Sequence, residues 1–128
     1  MIVLDTHVWV WWANGSTRLS AGGRRAIDDA PNVGVCAISV WEVAMLVQHG
    51  RLDLDRPVLT WVRQALALPR VTMLELTVER AVAAATLSEV LPGDPADRMI
   101  VATAISLRAP IVTKDRAIRR YDAVRSIW

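Results

Sequence analysis

Cysteine is nearly missing from this chain, and so are lysine and tyrosine. Cys36 stands alone among 128 residues, so no intrachain disulfide can form. A single thiol inside the apolar run Val35-Cys36-Ala37 has burial as its ordinary role. One of the 15 basic residues is a lysine and the other 14 are arginines. No apolar run approaches the roughly 18 residues of a membrane span. There is no low-complexity tract and no internal repeat. The opening run reaches Asp5 almost at once, so no secretory leader is expected, and the chain reads as cytoplasmic. The net charge of +2 is too mild to argue for nucleic acid by itself.

What is present points to one apolar domain, residues 1–128. Hydrophobic residues make up 53% of the chain, above the usual globular range, and six are tryptophans. Such a surplus suggests that part of the surface is covered by a stable protein partner, because Trp anchors many interfaces. Core filling is its other use. Arg116, Arg119, Arg120 and Arg125 crowd the C-terminus with Lys114, either as a solvated face or as a local patch that attracts phosphates.

Short apolar runs alternate with helical patterns. Residues 2–4 read as a strand, followed by helices over about 6–13 and 20–29, the second started by Ser20. Residues 33–39 read as a buried strand, with Ser39 capping a helix over about 40–49. Pro57 opens a helix over 57–68 at its first position. Residues 71–76 are strand-like, and Thr77 caps a helix over 78–91 that Pro92-Gly93 ends. A helix over 95–108, a strand at 111–113, a helical turn at 116–121 and a strand at 124–128 complete the order βααβααβααβαβ. This alternation predicts a three-layer α/β/α sandwich around a mostly parallel sheet of about five strands. Right-handed crossovers put the strand C-ends on one rim.

Four acids fall on that rim: Asp5, Glu42, Asp97 and Asp115. Singly, each has an ordinary explanation. Asp5 and Asp115 can cap the helices that follow them. Glu42, in the first turn of its helix, suits the helix dipole. Asp94-Pro95-Ala96-Asp97 reads as an N-cap, a proline at the first helical position and an acid at the third. Together, four carboxylates on one rim would repel one another unless a cation sat between them. Mg²⁺ and Mn²⁺ take oxygen ligands and work with phosphate substrates. Such ions activate water and stabilise the leaving oxygen of a phosphodiester. Thr6 and Thr113 hydroxyls are candidates to hold bound waters.

The motifs Ile2-Val3-Leu4-Asp5-Thr6, Ser39-Val40-Trp41-Glu42-Val43, Asp94-Pro95-Ala96-Asp97-Arg98-Met99-Ile100-Val101 and Thr113-Lys114-Asp115, in this order and spacing, make the whole chain resemble the PIN-domain ribonucleases, above all the VapC-type toxins of bacterial toxin–antitoxin pairs. The resemblance implies a metal-dependent endoribonuclease that cuts RNA with a metal-activated water. It puts catalysis on Asp5, Glu42, Asp97 and Asp115, and Mg²⁺ (or Mn²⁺) on Asp5, Asp97 and Asp115. Thr113, Thr6 and Asp94 support the site; Asp94 is either an outer acid or only the cap. Arg98, Lys114 and Arg116 are candidates to contact RNA phosphates or to pair with neighbouring acids. An antitoxin protein is the implied partner, with Trp11 or Trp12 lining the groove it fills, and a homodimer is expected. His7 and His49 have lesser claims: His7 points along the first helix, and His49 suits a helix C-terminus. Tyr121 is a candidate either to stack on a base or to pack in the core. Two rivals remain: a receiver-like signalling domain, which wants two adjacent acids after the first strand where this chain has Asp5-Thr6-His7, and a non-catalytic α/β interaction module whose acids are only caps.

Overall fold

The computed structural model describes residues 1–91 and 93–128. Five strands, β1 (Ile2–Leu4), β2 (Val33–Cys36), β3 (Val71–Leu74), β4 (Ile111–Val112) and β5 (Ser126–Ile127), alternate with seven helices. These are α1 (Thr6–Ala13), α2 (Ala21–Asp29), α3 (Ala37–Gln48), α4 (Val58–Leu66), α5 (Val78–Ala85), α6 (Pro95–Ser106) and α7 (Arg116–Arg119). The strands form one sheet in the order β3-β2-β1-β4-β5, with every neighbouring pair parallel.

Side chains alternate along each strand, so both sheet faces are covered. Ile2, Leu4, Val33, Val35 and Val112 enter one core with Val8, Trp9, Ile27, Val43 and Trp61. Val3, Cys36, Leu74 and Ile111 enter the other with Ile100, Val101, Ala104 and Ile118. The helix layers are therefore α1 to α4 on one side and α6 with α7 on the other. Close approach shapes one end of the first layer. A Cβ on Gly22 would lie 2.8 Å from the carbonyl oxygen of Trp128, so the missing side chain lets α2 lie against the C-terminal strand.

The element order matches the sequence reading, while several boundaries move. β2 stops at Cys36 and α3 starts at Ala37, so Ser39 is no cap: it lies inside the helix, fully buried. A continuous apolar run does not mark where a buried strand becomes a buried helix. Glu42 consequently sits in the second turn of α3, not the first. Pro57 stands at the N-cap position, one residue before α4. α5 ends at Ala85, well short of 91. The hydroxyl of Thr86 bonds back to the carbonyls of Val82 and Ala83, and the chain leaves the helix there. Of the expected stop, Pro92 lies outside the described residues. The core tyrosine reading is the one observed, with Tyr121 packed against the second core. Among the described residues no helix is long and apolar enough to cross a membrane.

β1 connects through α1 and α2 to β2 on one side, and its other neighbour is β4. The C-ends of β1 and β4 thus flank the point where the chain switches direction across the sheet. Open parallel sheets bind their ligands at such a point.

Candidate active site

Asp5 leaves β1 and caps α1. Its Oδ1 accepts the Thr6 N–H at 2.8 Å, and its Oδ2 accepts the Thr113 hydroxyl at 2.7 Å. Thr113 accepts the Asp115 N–H at 3.0 Å on the same oxygen, which aims its own proton at Asp5. Burial pushes the Asp5 carboxyl up, while these two donors and the nearby His7 pull it down and the charge of Asp115 pushes it up again. The Thr6 hydroxyl donates to Ser39 at 2.9 Å, tying α1 to α3 beneath the site. Thr6 and Thr113 are fully buried, so they brace other groups and do not reach solvent.

Asp94 and Asp115 are caps in fact. Oδ1 of Asp94 accepts the Asp97 N–H at 3.1 Å, and Oδ1 of Asp115 accepts the N–H groups of Ala117 and Ile118 at 2.8 and 3.0 Å. Each cap occupies one carboxylate oxygen and leaves the other free. Helix capping and ion binding therefore do not compete at these positions.

The caps fix where the acids point. Asp5, Glu42, Asp94, Asp97 and Asp115 line one cavity of about 470 Å³, with Lys114, His7 and Trp11 on its rim. Asp97 feels the crowding most. Burial raises its carboxyl, and the charges of Asp5, Asp94, Glu42 and Asp115 raise it further, to about 8. Glu42 is also raised, first by burial and then by Asp5 and Asp94, with Thr6 pulling it back. Its Oε1 is buried without a hydrogen-bond partner. Oxygens of Glu42, Asp94 and Asp97 lie within 4.8 Å of one another, the one such group among the described residues.

This donor set fits a hard divalent cation. It is made of oxygens, carries excess negative charge, and holds an acceptor that nothing in the protein satisfies. The tightest trio differs from the set expected from the sequence. Asp94 belongs to it, while Asp5 and Asp115 lie further round the same cavity.

The PIN domain family matches residues 2–124. Ribonuclease VapC22 of Mycobacterium tuberculosis is 40% identical over 129 residues, covering 99% of this chain and 98% of that one. This chain belongs to the PIN-domain family. DNA-bound VapBC from Salmonella typhimurium superposes with a TM-score of 0.71 at 18% identity, covering 98% of this chain and 95% of that one. VapBC2 from Rickettsia felis, bound to a promoter DNA fragment, gives 0.70 at 15% identity, with 98% and 97% covered. Both likenesses speak for the fold.

Within this PIN domain the basic candidates separate. Lys114 reaches the acid cavity, and Arg116 is exposed at the start of α7. Arg98 is engaged chiefly with backbone. Its guanidinium donates to the carbonyls of Ala84, Leu87, Ser88 and Leu91, at 3.0, 2.6, 3.4 and 3.0 Å. It pins the turn after α5 onto α6, and four of its five N–H groups are committed to that turn. An arginine beside a site acid gives no sequence signal for such a role, because its acceptors are backbone.

The tryptophans also separate. Trp9 is fully buried against Trp61, with ring centroids 5.1 Å apart. Trp12 packs half-buried on the first core. Trp11 stands between His7 and Trp128, at 5.9 and 6.0 Å, and walls the acid cavity. His7 is therefore a wall residue, which sequence position alone did not reveal; its i,i+4 spacing to Trp11 was the available signal. His49 caps the C-terminus of α3 in the open. Cys36 is buried and its thiol is pushed up to about 11, chiefly by burial, so it stays an inert core residue.

Proposed function

We propose that this chain is an endoribonuclease that hydrolyses RNA phosphodiester bonds in its carboxylate cavity with Mg²⁺ or Mn²⁺, and that it acts in the cytoplasm as the toxin of a toxin–antitoxin pair. The observation that carries the reading is the convergence of five carboxylates on one cavity, three of them with oxygens within 4.8 Å of one another, where burial and like charge push Asp97 up to about 8. Proteins do not keep such repulsion for stability. The 40% identity to a ribonuclease over nearly the whole of both chains supports the choice of reaction.

Glu42, Asp94 and Asp97 would hold the cation, with Asp5 and Asp115 completing the charge of the cavity. When bound, a divalent cation supplies positive charge to the phosphate and lowers the pKa of water. Thr6 and Thr113 donate to both oxygens of Asp5 and favour its charged form against the upward push of burial. Oε1 of Glu42 is free to accept a proton from a water and orient it. The Lys114 ammonium at the rim draws the RNA backbone in, and Arg116 extends that attraction. Trp11 or Trp12 meets the antitoxin, and the active assembly is a homodimer.

The test is cleavage of single-stranded RNA with and without chelator, comparing wild type with Asp97→Asn. Cleavage that needs added Mg²⁺ or Mn²⁺ and is lost in Asp97→Asn is expected. Cleavage that survives both treatments would remove the assignment.

A further inference from the structure

Trp41 is 55% exposed, the largest side chain in the open surface of this protein. It stands on α3 one residue before Glu42. With Ile38 one turn back, and with Pro95 and Ala96 at the start of α6, it lines a mainly apolar recess of about 340 Å³. Glu42 and Asp94 line both that recess and the acid cavity, so the two hollows lie side by side. We propose that this recess is a nucleobase subsite, in which Trp41 stacks on an unpaired base of the nucleotide next to the scissile phosphate.

The inference rests on the ribonuclease reading and adds to it the part of the substrate that the acids do not recognise. A phosphate seated among carboxylates and a cation carries a ribose and base on either side. The polar hollow accepts the charged backbone, and an apolar hollow beside it accepts what hangs from that backbone. An indole face bordered by the aliphatic walls of Ile38, Pro95 and Ala96 matches a planar, weakly polar ring. Indole–base stacking is sequence-tolerant, because every base offers a π-face. The Glu42 and Asp94 carboxylates in the lining speak against a second acidic group there and are compatible with a neutral base. Core packing gives no reason for Trp41 to face solvent, since Val43 two residues on is fully buried and anchors α3.

The test crosses the protein with its substrate. Cleavage with Mg²⁺ is measured on one single-stranded RNA oligonucleotide and on copies carrying an abasic ribose on either side of the cut bond. Trp41→Ala should lower kcat/KM on the intact RNA by about ten- to a hundredfold, the range set by stacking, and Trp41→Phe should restore most of it. Wild type on the correct abasic RNA should fall to the level of Trp41→Ala, and the variant should lose nothing further. A second readout does not need cleavage: wild-type Trp fluorescence should be quenched by the intact oligonucleotide in chelator, and Trp41→Phe should lose most of that quenching.

Equal abasic penalties in wild type and Trp41→Ala overturn the subsite and leave the nuclease reading standing. Base-dependent quenching at Trp41 without any cleavage supports the subsite while the nuclease reading fails. A Trp41→Ala protein that changes oligomeric state in sedimentation, or loses antitoxin affinity, with no base dependence assigns the recess to a protein surface and overturns the proposal.

Discussion

Removing one negative charge from the acid cavity should make the cation-free protein more stable, and Asp97→Asn is the substitution that tests this. In the folded chain the Asp97 carboxyl is held at about 8, against an ordinary 3.8. The folded state therefore binds this proton more tightly than the unfolded state does. Its contribution is fully present below about pH 4 and is lost as the pH rises through 8. At about 1.36 kcal/mol per unit, the ceiling on that loss is about 5–6 kcal/mol. Asp97 is only half-buried, and solvent screens its neighbours, so about 1–3 kcal/mol is the expected size. Asparagine keeps the shape and has no charge to lose.

Urea unfolding in chelator between pH 4.5 and 9 measures the effect. Wild-type stability should decline across this window by more than that of Asp97→Asn. The variant should be the more stable protein by about 1–3 kcal/mol at pH 8.5, with near equality at the acid end. Added Mg²⁺ should stabilise wild type at pH 8.5 and do much less for the variant, because a ligand that binds only the folded state adds to its stability. Parallel pH profiles, or a variant no more stable than wild type at pH 8.5, would show that the acids do not repel one another as the cavity geometry requires.

Three further outcomes follow from particular contacts. Arg98→Ala strands four backbone carbonyls around the turn after α5, and should cost about 2–4 kcal/mol in urea midpoint analysis; Arg98→Lys should recover only part, since an ammonium cannot span the same fan of acceptors. Thr113→Val removes the donor to Asp5 and the acceptor of the Asp115 N–H; a loss of about 1–3 kcal/mol is expected, with weaker RNA cleavage. Trp11→Ala, and to a lesser extent Trp12→Ala, should weaken antitoxin binding measured by calorimetry; unchanged affinity in both would remove the groove assignment.

The order of elements was legible because turn and cap residues sit where the apolar period changes. Ser20, Thr77, Asp94 and Asp115 all bond the helix N–H groups they were expected to bond. Boundaries inside apolar stretches were not legible. Val33 to Ser39 is buried or nearly so in both its strand and its helix part, and burial hides the change of period. Glu42 lines the acid cavity, but it was placed a turn too early in its helix for this reason. The fate of Arg98 was hidden for another: its acceptors are carbonyls of a turn whose course no side-chain pattern announces. The aromatic wall of His7 and Trp11 depended on which face of α1 turns to the rim, and that is set by the burial of Val8 and Trp9 against the sheet.

Asp94 shows why capping and ion binding should be weighed together. Its Oδ1 holds the Asp97 N–H, and its carboxylate lies in the same cluster as those of Asp97 and Glu42. The cap thus sets the position of both carboxylates at once, since Asp97 is the residue whose N–H is capped. An exposed acid without that bond would lose side-chain freedom on meeting a cation, whereas this one has already lost it on folding. Under the proposed metal-dependent reading, the start of α6 would serve as a preformed edge for the cation, with its formation bound up with the stability of α6. Asp94→Asn keeps the cap oxygen and removes the charge, while Asp94→Ala removes both. If the cap is what orients Asp97, Asp94→Ala should impair Mg²⁺-dependent stabilisation more than Asp94→Asn does, and equal losses would mean that charge alone matters there.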